Sequence, residues 1–192
     1  GRSEGDRNDQ PISSDPATIT ISQATQYSLT VTNSGETFSY TPTLNISYTA
    51  SGGSGTGEVT YTVNDVSVGT IDVLTAPDKG TYEIVATKAG DRNYQSNGPS
   101  DPATITITKS DQDTLSISNL GSYAYSPSLT LDFIAVGGSG TGAITYQVNE
   151  ENVTSALLIA PSSGVYNISV TRAGDINFNA ADVSGVITII KA

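Results

Sequence analysis

One period governs this chain. The stretch "SYTPTLNISYTASGGSGTGEVTYTVN" from Ser39 returns as "AYSPSLTLDFIAVGGSGTGAITYQVN" from Ala124. Gly53 falls on Gly138 and Tyr61 on Tyr146, each 85 residues further on. Beyond them "TAPDKGTYEIVATKAGDRNY" returns as "IAPSSGVYNISVTRAGDINF", with Gly90 on Gly174, 84 residues on. A period held to one residue over this length means that one supersecondary unit is used twice, so a fold proposed for one copy must serve the other. "GDRNDQPISSDPATITIS" from Gly5 parallels "GDRNYQSNGPSDPATITITKS" from Gly90. The expected organisation is a C-terminal remnant of a preceding copy at residues 1–22, repeat one at 23–109 and repeat two at 110–192. On this reading the chain is a piece of a longer protein. Its start lacks the basic-then-apolar pattern of an export leader.

Within each copy the apolar residues alternate. Leu44, Ile46 and Tyr48 share one side of "TLNISYT", as Leu129, Leu131 and Phe133 do in the second copy. Val59, Tyr61 and Val63 match Ile144, Tyr146 and Val148. Tyr82, Ile84 and Ala86 match Tyr166, Ile168 and Val170, and Ile105 and Ile107 match Ile187 and Ile189. Side chains two apart lie on the same side of a strand, so every strand has an apolar row and a Thr/Ser row. Strands with one buried and one wet row belong to antiparallel sheets packed face to face. Six or seven such strands in about 85 residues predict an all-β fold: two tandem immunoglobulin-like antiparallel β-sandwich domains. The joint "TKSDQDTL" holds neither Gly nor Pro, which limits bending and predicts an elongated, semi-rigid rod.

Composition removes several function classes. The chain has no Cys and no His, which excludes disulfides, Cys/His zinc sites and a Ser-His-Asp triad. With 8 Lys+Arg against 19 Asp+Glu, the net charge of −11 gives no basic stripe to follow a phosphate backbone, so no nucleic-acid partner is expected. No apolar run of membrane-spanning length occurs, so no membrane insertion is expected of this segment. No acidic pair recurs in both copies to hydrolyse a glycoside, and the expected protein is not an enzyme. An intramolecular Lys–Asn isopeptide bond fails the repeat test, because Lys88 becomes Arg172 and neither copy places a Lys on an early strand.

Two motifs recur in both copies. "GGSGTG" (52–57 and 137–142) lacks the Lys and the following helix of a phosphate-binding loop, and reads as a tight turn between strands. "AGD" follows a strand in each copy: Gly permits a left-handed turn, and the Asp carboxylate accepts from the next backbone N–H groups. Tyr94 or Phe178 then drops back onto the end of the sandwich, and Tyr82 or Tyr166 ties its hydroxyl to the preceding corner. A functional alternative puts Ca²⁺ on Asp91 and Asp175 together with Asp111 and Asp113 at the joint, since calcium takes several carboxylate and carbonyl oxygens. No "DxDxDG" loop accompanies them. Tyr27, Tyr40, Tyr123 and Tyr125 are candidates for a sugar-stacking face, Tyr123 and Tyr125 first among them.

"Y-[TS]-P", "GGSGTG", "GTYEIVATKAGDRNY" and the closing "DPATITITKSDQ" resemble the tandem bacterial Ig-like repeats, of the MBG type, found in large surface adhesins. The resemblance covers both copies and the N-terminal remnant. It implies export and display on a bacterial cell surface, where such repeats serve as stalks and as ligand-binding tips. The leading expectation is a monomeric, elongated spacer in contact with neighbouring repeats of the same chain, projecting a distal binding domain. It carries no catalytic residue or cofactor. Two alternatives stand beside it: a repeat that itself binds a glycan or a host surface protein, and an accessory module of a secreted polysaccharide-degrading enzyme. The remnant strand "ATITIS" at 17–22 is expected to pair or pack near the start of repeat one.

Overall fold

A computed structural model describes residues 14–192 and is all-β, with no helix among the described residues. The "GDRN" of residues 5–8 lies outside that range. Repeat one runs β1 (Leu29–Val31), β2 (Thr37–Ser39), β3 (Asn45–Ser47), β4 (Ala50–Gly52), β5 (Val59–Val63), β6 (Val66–Gly69), β7 (Val73–Thr75), β8 (Gly80–Lys88) and β9 (Ala103–Thr108). Repeat two runs β10 (Leu115–Ile117), β11 (Gly121–Ala124), β12 (Thr130–Asp132), β13 (Ala135–Gly137), β14 (Ile144–Val148), β15 (Glu151–Val153), β16 (Leu157–Ile159), β17 (Gly164–Arg172) and β18 (Ala181–Ile190).

Each repeat has one five-stranded sheet, ordered β2-β9-β8-β5-β6 in the first and β11-β18-β17-β14-β15 in the second. The facing layer is built from the pairs β1-β4 and β3-β7, and their counterparts β10-β13 and β12-β16. β3 and β4 follow one another along a single extended run. The Tyr48 amide between them donates to Asp72 O at 2.8 Å, and Thr32 N donates to Thr49 O at 2.9 Å. The layer therefore reads as three strands, and the two layers make an immunoglobulin-like sandwich.

The sheets are antiparallel except at one edge. β2 pairs β9 in parallel, and β11 pairs β18 in parallel. After β1 the chain turns at Asn33 and Gly35, both with positive φ (61° and 84°), and crosses to the other layer. It then meets the last strand of its own repeat running the same way. A second turn explains the hairpin β5-β6: its two-residue loop is Asn64-Asp65, both left-handed, and Asn149-Glu150 repeats this between β14 and β15. Such loops match the twist of the flanking strands, and Asn tolerates the conformation well. Each Asn is used twice, since Asn64 Oδ1 accepts from Glu83 N at 2.8 Å and Asn149 Oδ1 from Asn167 N at 2.9 Å.

The alternating rows form the cores. Ile46, Tyr48, Tyr61, Ile84, Ala86, Ile105 and Ile107 are buried in repeat one, and Leu131, Phe133, Ile168, Val170, Ile187 and Ile189 in repeat two. An edge-on aromatic pair bridges the layers in each: Tyr48–Tyr61 at 5.2 Å and Phe133–Tyr146 at 5.9 Å between ring centroids. Such pairs contribute about 1 kcal/mol beyond the area they bury. The Tyr61 hydroxyl also accepts from Ala50 N at 3.0 Å, and Tyr146 from Ala135 N at 3.3 Å. Burial, with Asp72 and Tyr61 adding, pushes the Tyr48 phenol up; its hydroxyl donates to Ile71 O at 2.9 Å.

The remnant departs from expectation. "ATITIS" forms no strand, and Ile19 and Ile21 are 87% and 91% exposed. In an intact repeat this phrase is β9, held between β8 and β2. Those places in repeat one are filled by its own β9, so the extra copy finds no free partner there. Pairing resumes only at Ala24, in a bridge to Tyr94.

Candidate functional site

The two recurring motifs meet at one place. Asp91 Oδ1 accepts from the amides of Asn93 (2.8 Å) and Tyr94 (2.9 Å), while Oδ2 accepts from Thr56 N (2.7 Å) and Thr56 Oγ1 (3.3 Å). Asp175 does the same with Asn177 N (2.9 Å), Phe178 N (2.8 Å), Thr141 N (2.7 Å) and Thr141 Oγ1 (3.0 Å). The glycine-rich turn and the corner loop are thus one unit, clamped by a carboxylate. The bonds favour the charged form. Those from Thr141, then Asn177, hold the Asp175 carboxyl down at about 2, and those from Thr56 and Asn93 lower Asp91. The glycines follow from the same packing. A Cβ on Gly57 would fall on the Ala89 carbonyl oxygen, and one on Gly142 on that of Ala173.

The segment entering each repeat completes the corner. The Gln26 amide nitrogen donates to Ala89 O (3.1 Å) and Gln95 O (2.7 Å), while its oxygen accepts from Ser54 N (3.0 Å). Gln112 repeats this on Ala173 O (3.2 Å), Asn179 O (2.8 Å) and Gly140 N (3.1 Å). One residue of the joint is pinned from both sides. Ser110 N donates to Asn177 O (3.0 Å), Ser110 O accepts from Asn179 N (2.8 Å), and the Ser110 hydroxyl donates to Tyr40 O of repeat one (2.5 Å). Lys109 Nζ reaches the Asp175 carbonyl.

Across this joint the corner of repeat two plugs into the end of repeat one. Asn177 Oδ1 accepts from Lys79 N at 2.8 Å, and Asn177 Nδ2 donates to the Asp78 carboxylate at 2.7 Å. The Phe178 ring meets Tyr40 edge-on at 5.4 Å. Asn177 is only 8% exposed, with both ends of its amide satisfied by the other repeat. The receiving loop is itself fixed: the Tyr82 hydroxyl donates to Asp78 O at 2.9 Å, four residues back. Tyr166 makes the same bond to Ser162 O at 3.0 Å. Both are the expected tyrosine ties.

The other sequence candidates are dispersed. Asp111 Oδ1 accepts from Asn179 Nδ2 at 2.8 Å, and the Asp113 amide donates to Ser139 Oγ at 3.0 Å. Among the described residues no three carboxylates converge. Tyr123 is half-buried against the core of repeat two, and its hydroxyl donates to Asn119 O at 3.0 Å. Tyr125 is 41% exposed in an open cleft of about 420 Å³ with Ser162, Ser163 and Lys191, and Tyr27 is exposed. Sequence reasoning expected Phe178 to pack back on its own sandwich, whereas its ring meets Tyr40 of repeat one, and it gave no role to Asn177, to its partners Asp78 and Lys79, or to the paired Gln26 and Gln112. Two signals were available: the recurrence of Asn93 at Asn177 and of Gln26 at Gln112.

No family model and no curated protein sequence matches the chain. Among solved structures it is similar to fibronectin(III)-like modules of Clostridium thermocellum CbhA, at 17% identity and a TM-score of 0.35, over 85% of this chain and 95% of that one. It is also similar to Drosophila N-cadherin EC1-3, at 13% identity and a TM-score of 0.33, over 86% of this chain and 68% of that one. The immunoglobulin-like assignment stands on the strand order and register described above. No helix among the described residues is long and apolar enough to cross a membrane.

Proposed function

We propose that the chain is a non-catalytic spacer of tandem Ig-like repeats, of the MBG type, in a bacterial surface adhesin, where it holds a distal binding domain away from the cell. One observation carries this reading: the buried Asn177, whose amide is satisfied wholly by Asp78 and Lys79 of the other repeat. A polar side chain is buried at the cost of its hydration, and here the hydrogen bonds that offset the cost exist only while the repeats are held end to end. Beside it, Ser110 hydrogen-bonds to both repeats, and residues 109–114 between the two sandwiches hold neither Gly nor Pro. Length and resistance to bending are what a spacer supplies. Small-angle scattering of the purified chain tests it. The expected result is a monomer with the long, skewed distance distribution of two sandwiches in line, unchanged with concentration. A compact particle overturns the reading.

A further inference from the structure

The end of repeat two is built like the end of repeat one that receives Asn177. Tyr125 stands where Tyr40 stands, Ser162 and Ser163 where Asp78 and Lys79 stand, and Lys191 where Lys109 stands. The backbone places them alike: Tyr40 N donates to Thr108 O and Tyr125 N to Ile190 O, both at 2.9 Å. The tyrosine tie that fixes the receiving loop is also present, from Tyr166 to Ser162 O. Together Tyr125, Ser162, Ser163, Lys191 and Ala192 line the open cleft of about 420 Å³.

We propose that this cleft is a preformed socket for the Asp-x-Asn-aromatic corner of a further repeat of the same type, carried on the polypeptide directly after repeat two. The occupant is defined by the joint already seen. Its Asn oxygen would accept from the Ser163 amide, its Asn nitrogen would donate to the Ser162 hydroxyl, and its aromatic ring would meet the edge or face of Tyr125. Ser162 offers a neutral oxygen where Asp78 offers a carboxylate, and a charged acceptor makes the stronger bond. Ala192 has no hydroxyl to repeat the Ser110 bond to Tyr40 O. The second socket is therefore the weaker of the two. This inference rests on the spacer reading.

The test is a three-repeat protein in which residues 111–192 follow Ala192 once more, compared with the 192-residue chain by amide hydrogen exchange and Tyr ring NMR. Core amides of the added copy report that it has folded. The expected result is that exchange at Ser163 slows at least tenfold on adding the third repeat, the Tyr125 ring signals shift, and Asn177→Ala placed only in the added copy reverses both. A folded third repeat that leaves Ser163 unprotected, while Lys79 stays protected in both proteins, overturns the socket and leaves the spacer reading intact. Lys79 unprotected in both overturns the spacer reading itself. Protection of Ser163 that rises with concentration in the 192-residue chain, or that is induced by a glycan, overturns the assignment in favour of a second copy or a sugar.

Discussion

The corner at Asp175 and the corner at Asp91 are built from the same bonds, yet Asn177 is buried and its counterpart Asn93 is exposed. Carboxylate clamp, glycine turn and bridging Gln are present in both. The difference is what lies beyond: Asn177 faces Asp78 and Lys79 of repeat one, while residues 14–22, ahead of Asn93, form no sandwich of their own. Two layers of design separate cleanly. The clamp belongs to the repeat and folds it, whereas the Asn and the aromatic next to it belong to the joint.

Damage to the repeat itself should be largest. Gly142→Ala forces a Cβ onto the Ala173 carbonyl, where backbone opposes backbone and neither side yields readily. It should cost repeat two about 3 kcal/mol in urea unfolding, and repeat one no more than the coupling that the joint supplies. Gly57→Ala should do the converse. Equal losses in both repeats from either change would break the picture of separate cores.

Asp175→Ala and Asp91→Ala come next, each leaving backbone donors of the corner without their acceptor. Both should lower the melting temperature of their own repeat. The acid limb sharpens this. The ordinary carboxyl value is 3.8 and the folded value of Asp175 is about 2, so its contribution is complete above about 3.8 and is lost as pH falls towards 2. The wild type should lose stability across that window more steeply than Asp175→Ala. Calcium should not raise the melting temperature, because both oxygens of each Asp already accept from N–H and O–H donors.

This division also explains what was legible in the sequence. The alternation of Leu131, Phe133, Ile168, Val170, Ile187 and Ile189 gave the sheet faces directly, because burial on one side leaves a period of two. Tyr82 and Tyr166 could be assigned their ties, and Asp91 and Asp175 their turn, because those bonds join near neighbours in sequence. The bond from Asp175 back to Thr141 joins two motifs 34 residues apart, and no local pattern marks it. The Asn177–Asp78 bond spans 99 residues and depends on how two finished domains meet. The parallel edge strands β2 and β11 were likewise hidden, since the apolar pattern is blind to strand direction.

Smaller effects probe the joint. Asn177→Ala should remove about 1–3 kcal/mol of coupling between the repeats, seen as two separated melting steps, while Asn93→Ala should change nothing. Tyr82→Phe and Tyr166→Phe should each cost about 1 kcal/mol in their own repeat. Smallest is Ala160→Gly. Ala160 sits at φ 44°, and Gly would relieve left-handed strain while adding chain entropy to the unfolded state. A net gain of about 0.5 kcal/mol is expected.

The spacer role depends on Asn177 and Phe178 fixing one repeat on the other. Residual dipolar couplings measured on both repeats of the same sample test it most directly. One alignment tensor should fit both repeats in the wild type, and Asn177→Ala with Phe178→Ala should split it into two. Separate tensors in the wild type would contradict it.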